Sequence, residues 1–401
     1  MKVFNKSNIL IPKDMDLGKW SVIACDQHTS NPQYWEKVKE IVGESNSTYN
    51  IIVPEAYLNT NKDKLIKKAN LNMNEYVEKQ IFQEYPNSLV YVERCLSNGK
   101  IRQGIVGQID LEYYSEKITE STKIKPSEAI VEERIPTRID VRKNAILDLP
   151  HAVLFCADEQ KSIIETLKSK VGEVDKVYDF NLMMNGGNIK GYLLNDNLAK
   201  NVVEEINKNI EESGFIVADG NHSLVAAKRV YEDSKKHNPD YLNSPLRYAL
   251  VEVVNIYNDA VEIDPIYRIL SNVNRDDIIK LMDQKFSTQK SENTKLVEVI
   301  SKDYRRIYYI ESNKDVLEIQ LLQEFLDEYL KECVGEIDYI HELSKLEELC
   351  ENESSIGFKF EPISKDMIVS YTKDKLFPRK TFSIGASSDK RYYLECRKLI
   401  K

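Results

Sequence analysis

The apolar residues Leu198, Val202, Ile206 and Ile210 recur at every fourth position, a spacing that puts them on one stripe of a helix. Asn195 or Asp196 is placed to cap its start, and Gly214 to close it with a backbone conformation that other residues resist. Residues 215–218 are continuously apolar and too few for a helix, so they predict a buried strand. That strand runs into Asp219-Gly220, and Leu224, Ala227 and Tyr231 then set up a second helix with His222 and Ser223 at its start. Apolar runs closed by turn formers at 50–54 and 151–157 predict two more short buried strands, and 248–256 and 304–310 predict two others. Leu321, Leu322, Phe325 and Tyr329 mark an amphipathic helix, and Asn185-Gly186-Gly187 marks a hairpin-type turn. Together these elements predict a mixed α/β (α+β) fold.

A chain of 401 residues exceeds the roughly 100 to 200 of a single domain, so several regions are expected. The divisions read from the sequence are 1–160, an N-terminal α/β region; 161–275, a core region carrying the 218–223 turn; and 276–401, a C-terminal α/β region. The net charge of −9, without any basic block, argues against nucleic acid as a partner. Six cysteines are scattered with no C-x-x-C pair, which excludes a zinc ribbon or a disulfide framework and predicts reduced core thiols. Apolar runs such as 152–157 are far shorter than the ~20 residues that span a bilayer, and residues 1–6 lack an apolar signal core. A cytoplasmic protein with no membrane association is expected. The signatures of P-loop NTPases, zincins and α/β-hydrolases are absent; His341-Glu342 lacks the second histidine of H-E-x-x-H.

A turn at the carboxyl end of a strand, opening into a helix, presents backbone N–H groups and the positive end of the helix dipole, where phosphate can sit. In Ala218-Asp219-Gly220-Asn221-His222-Ser223, Asp219 could hold a magnesium ion or a substrate amine, and His222 could donate to a phosphoryl oxygen. Asn221 and Ser223 could contact the same anion, Ser223 also capping the helix. The pattern is equally that of a tight Asp-Gly turn with a capping Ser223 and a structurally bonded His222. Arg134, Arg138 and Arg142, four apart, would share one helical face provided Pro136 lies in the first turn. They would meet a phosphate there, or lie in solvent beside Glu132, Glu133 and Asp140. Pro378-Arg379-Lys380-Thr381 offers two cations and a hydroxyl behind a rigid proline, a clamp for phosphate. Cys25-Asp26-Gln27-His28 reads better as Asp26 and His28 lining the site than as a Cys–His nucleophile pair, because such pairs are rarely neighbours in sequence.

Residues 218–223, followed by Ala226-Ala227, resemble the D-G-H-H-R-x-x-A-A signature of a bacterial and archaeal family, the ten-fifteen domain of unknown function. Asn31-Pro32, Gly104-Ile105-Val106-Gly107, residues 138–142, Pro265-Ile266-Tyr267-Arg268, Ile337-Asp338-Tyr339-Ile340-His341 and Pro378-Arg379-Lys380-Thr381 follow in family-like order along nearly the whole chain. The family's histidine pair is here Asn221-His222, and Ser223 stands in place of its arginine. The resemblance implies a core similar to ParB nucleotide-binding domains, sulfiredoxins and free-serine kinases, elaborated at both ends, and hence phosphoryl transfer. Glu128, in Lys125-Pro126-Ser127-Glu128, matches the glutamate of the family's H-E segment, with Ser127 at the histidine position. It is the candidate general base, since transfer to an alcohol needs a carboxylate to accept the hydroxyl proton; the plainer reading is a glutamate at a helix start.

The function implied is a small-molecule kinase passing phosphate from ATP, ADP or pyrophosphate to the hydroxyl of L-serine. Glu128, Asp219 and His222 would be catalytic, and magnesium held at Asp219 would bridge the donor. Arg134, Arg138, Arg379, Lys380 and Thr381 would bind phosphate. The alternatives are a non-catalytic phosphate or nucleotide sensor and a ParB-like nucleotide switch, which the acidic charge disfavours. A sulfiredoxin-like reductase would need a reactive cysteine where Asn221 stands.

Overall fold

Ala152–Cys156 is apolar and buried at every position, the signature of a strand covered on both faces. It lies inside a ten-stranded mixed sheet. Across that sheet run Ile124–Pro126, Phe215–Asp219, Ala152–Cys156, Tyr248–Asn255, Ile101–Asp110, Phe82–Cys95, Asn188–Leu194 and Lys176–Asn181, with Phe4–Asn5 and Ser7–Pro12 joining at Ile101–Asp110 and Phe82–Cys95. Two neighbouring pairs are parallel, Phe215–Asp219 with Ile124–Pro126 and Tyr248–Asn255 with Ala152–Cys156. Side chains alternate between the faces: Leu89, Tyr91 and Ile105 enter one core, Val90, Val92 and Val106 the other.

The helix Asp196–Ser213 covers the first of these faces and buries Ala199, Val202, Val203, Ile206 and Ile210, the stripe that the spacing predicts. Gly214 ends it at φ +70, and a Cβ there would come within 2.9 Å of the Lys123 carbonyl oxygen, so both conformation and space call for glycine.

The model is computed and describes residues 2–24, 32–119, 121–149, 151–313 and 316–400. They form two units. The first is Met1–Val261 with Thr372–Lys375 and Gly385–Lys401, and the second is Glu262–Tyr371 with Leu376–Ile384. The limits of these units do not coincide with the lines at 160 and 275. The line at 160 would cut through one sheet, because Ile216 pairs with Phe155. The tail after 384 returns to the first unit, where Tyr392 pairs with Ile23, Arg397 with Asp148 and Cys396 with Leu10. Buried charge anchors it: Asp148 is held by Arg142 at 2.6 Å and by Arg397 at 2.9 Å.

Two local expectations change. Residues 50–54 form no strand; a 3-10 turn, Thr48–Asn50, takes in the first of them. The Ser47 and Thr48 hydroxyls donate to the Trp20 carbonyl, so this backbone is committed locally while Ile51 still reaches the core. Pro136 does lie in the first turn of the helix Ile135–Lys143, but Arg142 is buried on Asp148 and is not part of a common arginine face.

The second unit is built on an antiparallel sheet of Tyr304–Glu311, Thr294–Ser301, Ile356–Phe360, Tyr267–Ser271 and Glu336–Ile340, in that order. The helix Glu318–Glu332 packs on it, with Leu322, Phe325 and Tyr329 buried. Among the described residues, no helix is long and apolar enough to cross a membrane. Among the described cysteines none is in a disulfide; Cys156, Cys350 and Cys396 are buried.

Candidate functional site

Phe215 and Val217 point into the core and carry the chain to Asp219 at the strand's carboxyl end. Gly220 then turns at φ +88, and a Cβ on it would meet Ala152 at 3.1 Å. The helix Asn221–His237 starts at once, its first turn closed by N–H groups of Ser223 and Leu224 donating to the Gly220 carbonyl. Gly220 thus occupies the cap position that the sequence assigned to Ser223, which instead sits inside the first turn. Asp219, Asn221, His222 and Ser223 are all half-buried.

The parallel register pairs Phe215 with Ile124, Ile216 with Lys125 and Val217 with Pro126, after which one strand ends at Asp219 and the other gives way to the segment that carries Glu128. Asp219 thus ends one of two adjacent parallel strands and Glu128 lies two residues beyond the end of the other, at the edge where α/β sheets commonly bind ligands. Both are half-buried. Asn221 Nδ2 donates to the Glu128 carbonyl at 3.2 Å and its Oδ1 accepts from the Tyr114 hydroxyl at 2.8 Å. Burial, reinforced by Glu116, pushes the Tyr114 phenol well above its ordinary value, so it stays a donor. His222 Nε2 accepts the Val131 N–H at 2.9 Å. An imidazole accepting at Nε2 is neutral and carries its proton on Nδ1, so only Nδ1–H can donate to a ligand. Asn221 and His222 therefore tie the segment bearing Glu128 to the helix.

Sequence reasoning missed Arg391. Only 7% exposed, it sets Nε 3.3 Å from Asp219 Oδ1, and its Cζ would lie 3.7 Å from a Cβ on Gly220. No periodicity or motif flags it; its one local sign is a basic pair, Lys390-Arg391, in a polar stretch. Tyr114 was missed for the same reason. The Arg391 carbonyl accepts from Ala24, the residue before Cys25-Asp26-Gln27-His28; Asp26 and His28 themselves lie outside the described residues.

Arg134 is exposed and Arg138 half-buried, with Arg138 Nη1 donating to the Arg134 carbonyl at 2.9 Å. Their helix packs along Asn221–His237. Glu132 is engaged by Arg229 and Asp140 by Lys62.

Arg379, Lys380 and Thr381 belong to the second unit. Thr381 is buried and its hydroxyl donates to the Pro378 carbonyl at 2.6 Å, so it closes its own turn. The Arg379 and Lys380 side chains are exposed, while their carbonyls accept from the buried Arg268, itself 5.2 Å from the Tyr339 ring centre. Burial lowers the Arg268 pKa to about 10. The Pro265–Arg268, Ile337–His341 and Pro378–Thr381 motifs thus build one structural knot within that unit.

Among the described residues no group of three or more His, Cys, Asp or Glu could cage a metal ion.

Residues 9–329 match the model of a family described as a protein of unknown function, DUF1015. No curated protein matches the chain. Among solved structures, a free serine kinase in complex with AMP shares 12% identity at a TM-score of 0.41, over 73% of this chain and 92% of that one. SbnI with a C-terminal truncation, from Staphylococcus aureus, shares 10% at a TM-score of 0.38, over 70% and 83%. A conserved hypothetical protein from Pyrococcus furiosus shares 12% at 0.36, over 70% and 90%.

Proposed function

The chain belongs to the DUF1015 family of proteins of unknown function, and we propose that it is a small-molecule phosphotransferase working at the 219–223 turn. The observation that carries this reading is that Asp219, ending one strand, and Glu128, two residues past the end of its parallel neighbour, both adjoin the start of one helix, where Asn221 Nδ2 donates to the Glu128 carbonyl. One carboxylate is then available as base and the other to hold the donor's countercharge, beside N–H groups that favour a phosphoryl group.

The hydroxyl oxygen of the acceptor attacks the terminal phosphorus, the bond from that phosphorus to its bridging oxygen breaks, and the hydroxyl proton passes to Glu128. Asp219 would hold magnesium, which when bound would neutralise phosphate charge. His222 would donate through Nδ1–H, its Nε2 being occupied by Val131. L-serine as acceptor, and ATP, ADP or pyrophosphate as donor, follow from the resemblance of the turn to that of free-serine kinases.

Incubating the protein with L-serine and each donor in turn, and measuring O-phosphoserine by mass spectrometry, tests the proposal. Formation of O-phosphoserine supports it. No product with any donor, despite calorimetric binding of one of them, would replace it with the non-catalytic sensor.

A further inference from the structure

Residues 218–223 contain neither lysine nor arginine, yet phosphoryl oxygens need a cation. Resting on the phosphotransferase reading, we infer that Arg391 is the residue that binds the phosphoryl group at this turn, its pairing with Asp219 being the arrangement without ligand.

The placement of Arg391 is determined from both sides. Just before it, the buried Arg94 donates to the carbonyls of Ser388, Asp389 and Lys390, and also to that of Gly186. Asp389 is fixed in turn by the Ser97 hydroxyl at 2.7 Å and the Ser97 N–H at 3.0 Å. From Arg391 onward, its own carbonyl accepts from Ala24, and Tyr392 and Tyr393 pair with Ile23 and Val22. A buried guanidinium used entirely on backbone carbonyls does not stabilise the tail cheaply; burial lowers the Arg94 pKa to about 10. What that clasp achieves is a fixed position for the next side chain, the preorganisation that a charge-binding site requires.

Arg391 meets Asp219 through Nε at 3.3 Å, on a carboxylate that is 25% exposed. The guanidinium lies against Gly220, beside the helix opening, where the terminal phosphoryl of a pyrophosphate or nucleoside polyphosphate would meet it.

Titration calorimetry of the full chain with pyrophosphate and with ATP, in magnesium buffer, tests this for the parent, Arg391→Gln and Arg391→Lys, with denaturant unfolding as the control. The glutamine variant is expected to bind both probes about 10- to 100-fold more weakly, and the parent's affinity to fall more steeply with added salt. The lysine variant should lie between, since an ammonium cannot form the fork. Equal affinity in all three, with only the unfolding midpoint lowered, overturns the inference and leaves the phosphotransferase reading standing. A parent that binds neither probe removes both. Should the glutamine variant not fold, the lysine variant decides: several-fold weaker binding at an unchanged midpoint supports the assignment, and parent-like affinity overturns it.

Discussion

Asn221 Nδ2 reaches the carbonyl of Glu128 at 3.2 Å, so the helix that follows the turn and the segment carrying the candidate base move as one piece. The bond uses the main chain of Glu128 and not its carboxylate. The tie itself therefore survives a change of that carboxylate.

Glu128→Gln is accordingly expected to fold and bind donor like the parent while kcat falls by about 10²- to 10⁴-fold, the range for loss of a general base. Steady-state assay of O-phosphoserine formation checks this. Near-normal turnover would rule out the assigned role.

Asp219→Asn should behave differently. Without the carboxylate, donor affinity and the stimulation by magnesium should decline together, because the countercharge on the phosphate is poorly held. Calorimetric donor titrations at several magnesium concentrations measure both, and an unchanged magnesium response would show that the ion is held elsewhere.

Asn221→Ala removes the acceptor of the Tyr114 hydroxyl, which is nearly inaccessible to water, along with the tie to Glu128. A buried donor left unsatisfied costs about 1–3 kcal/mol, so the urea midpoint should fall by a corresponding amount. The double variant Asn221→Ala with Tyr114→Phe should recover part of that loss, since no orphaned hydroxyl remains. Strict additivity of the two changes would argue against the contact.

Asp148 provides a pH test. Burial alone would raise its pKa, but Arg142 and Arg397 outweigh burial and hold it below the ordinary aspartate value. A carboxylate lowered in the folded state contributes stability that is complete above the unfolded value of about 3.9 and is lost as pH falls through the folded one. Asp148→Asn should thus be less stable than the parent at pH 7, by about 3–5 kcal/mol for a broken buried pair, with the gap narrowing below about pH 4. Stability curves that stay parallel down to pH 3 would contradict this.

The sequence alone determined the elements around the site. Four-residue apolar spacing marks Asp196–Ser213, a short apolar run marks Phe215–Asp219, and Asp219-Gly220 marks the turn, because hydrophobic periodicity and glycine's conformational freedom act over a few neighbouring residues. It also singled out Glu128 and Asp219, though not why they belong together. Their segments are joined by the parallel pairing of two strands distant in sequence and by the Asn221 contact with the Glu128 carbonyl, and pairing of that kind is set by tertiary packing. For the same reason Arg142 moved from a candidate phosphate-facing stripe to a buried clamp on Asp148, and Thr381 from a ligand contact to its own turn. Arg391 had no local signal at all. It is brought to Asp219 by the tail's ladder with Val22–Ile23 and by a buried arginine from another strand, and long-range contacts of this sort leave no periodic trace in the residues that make them.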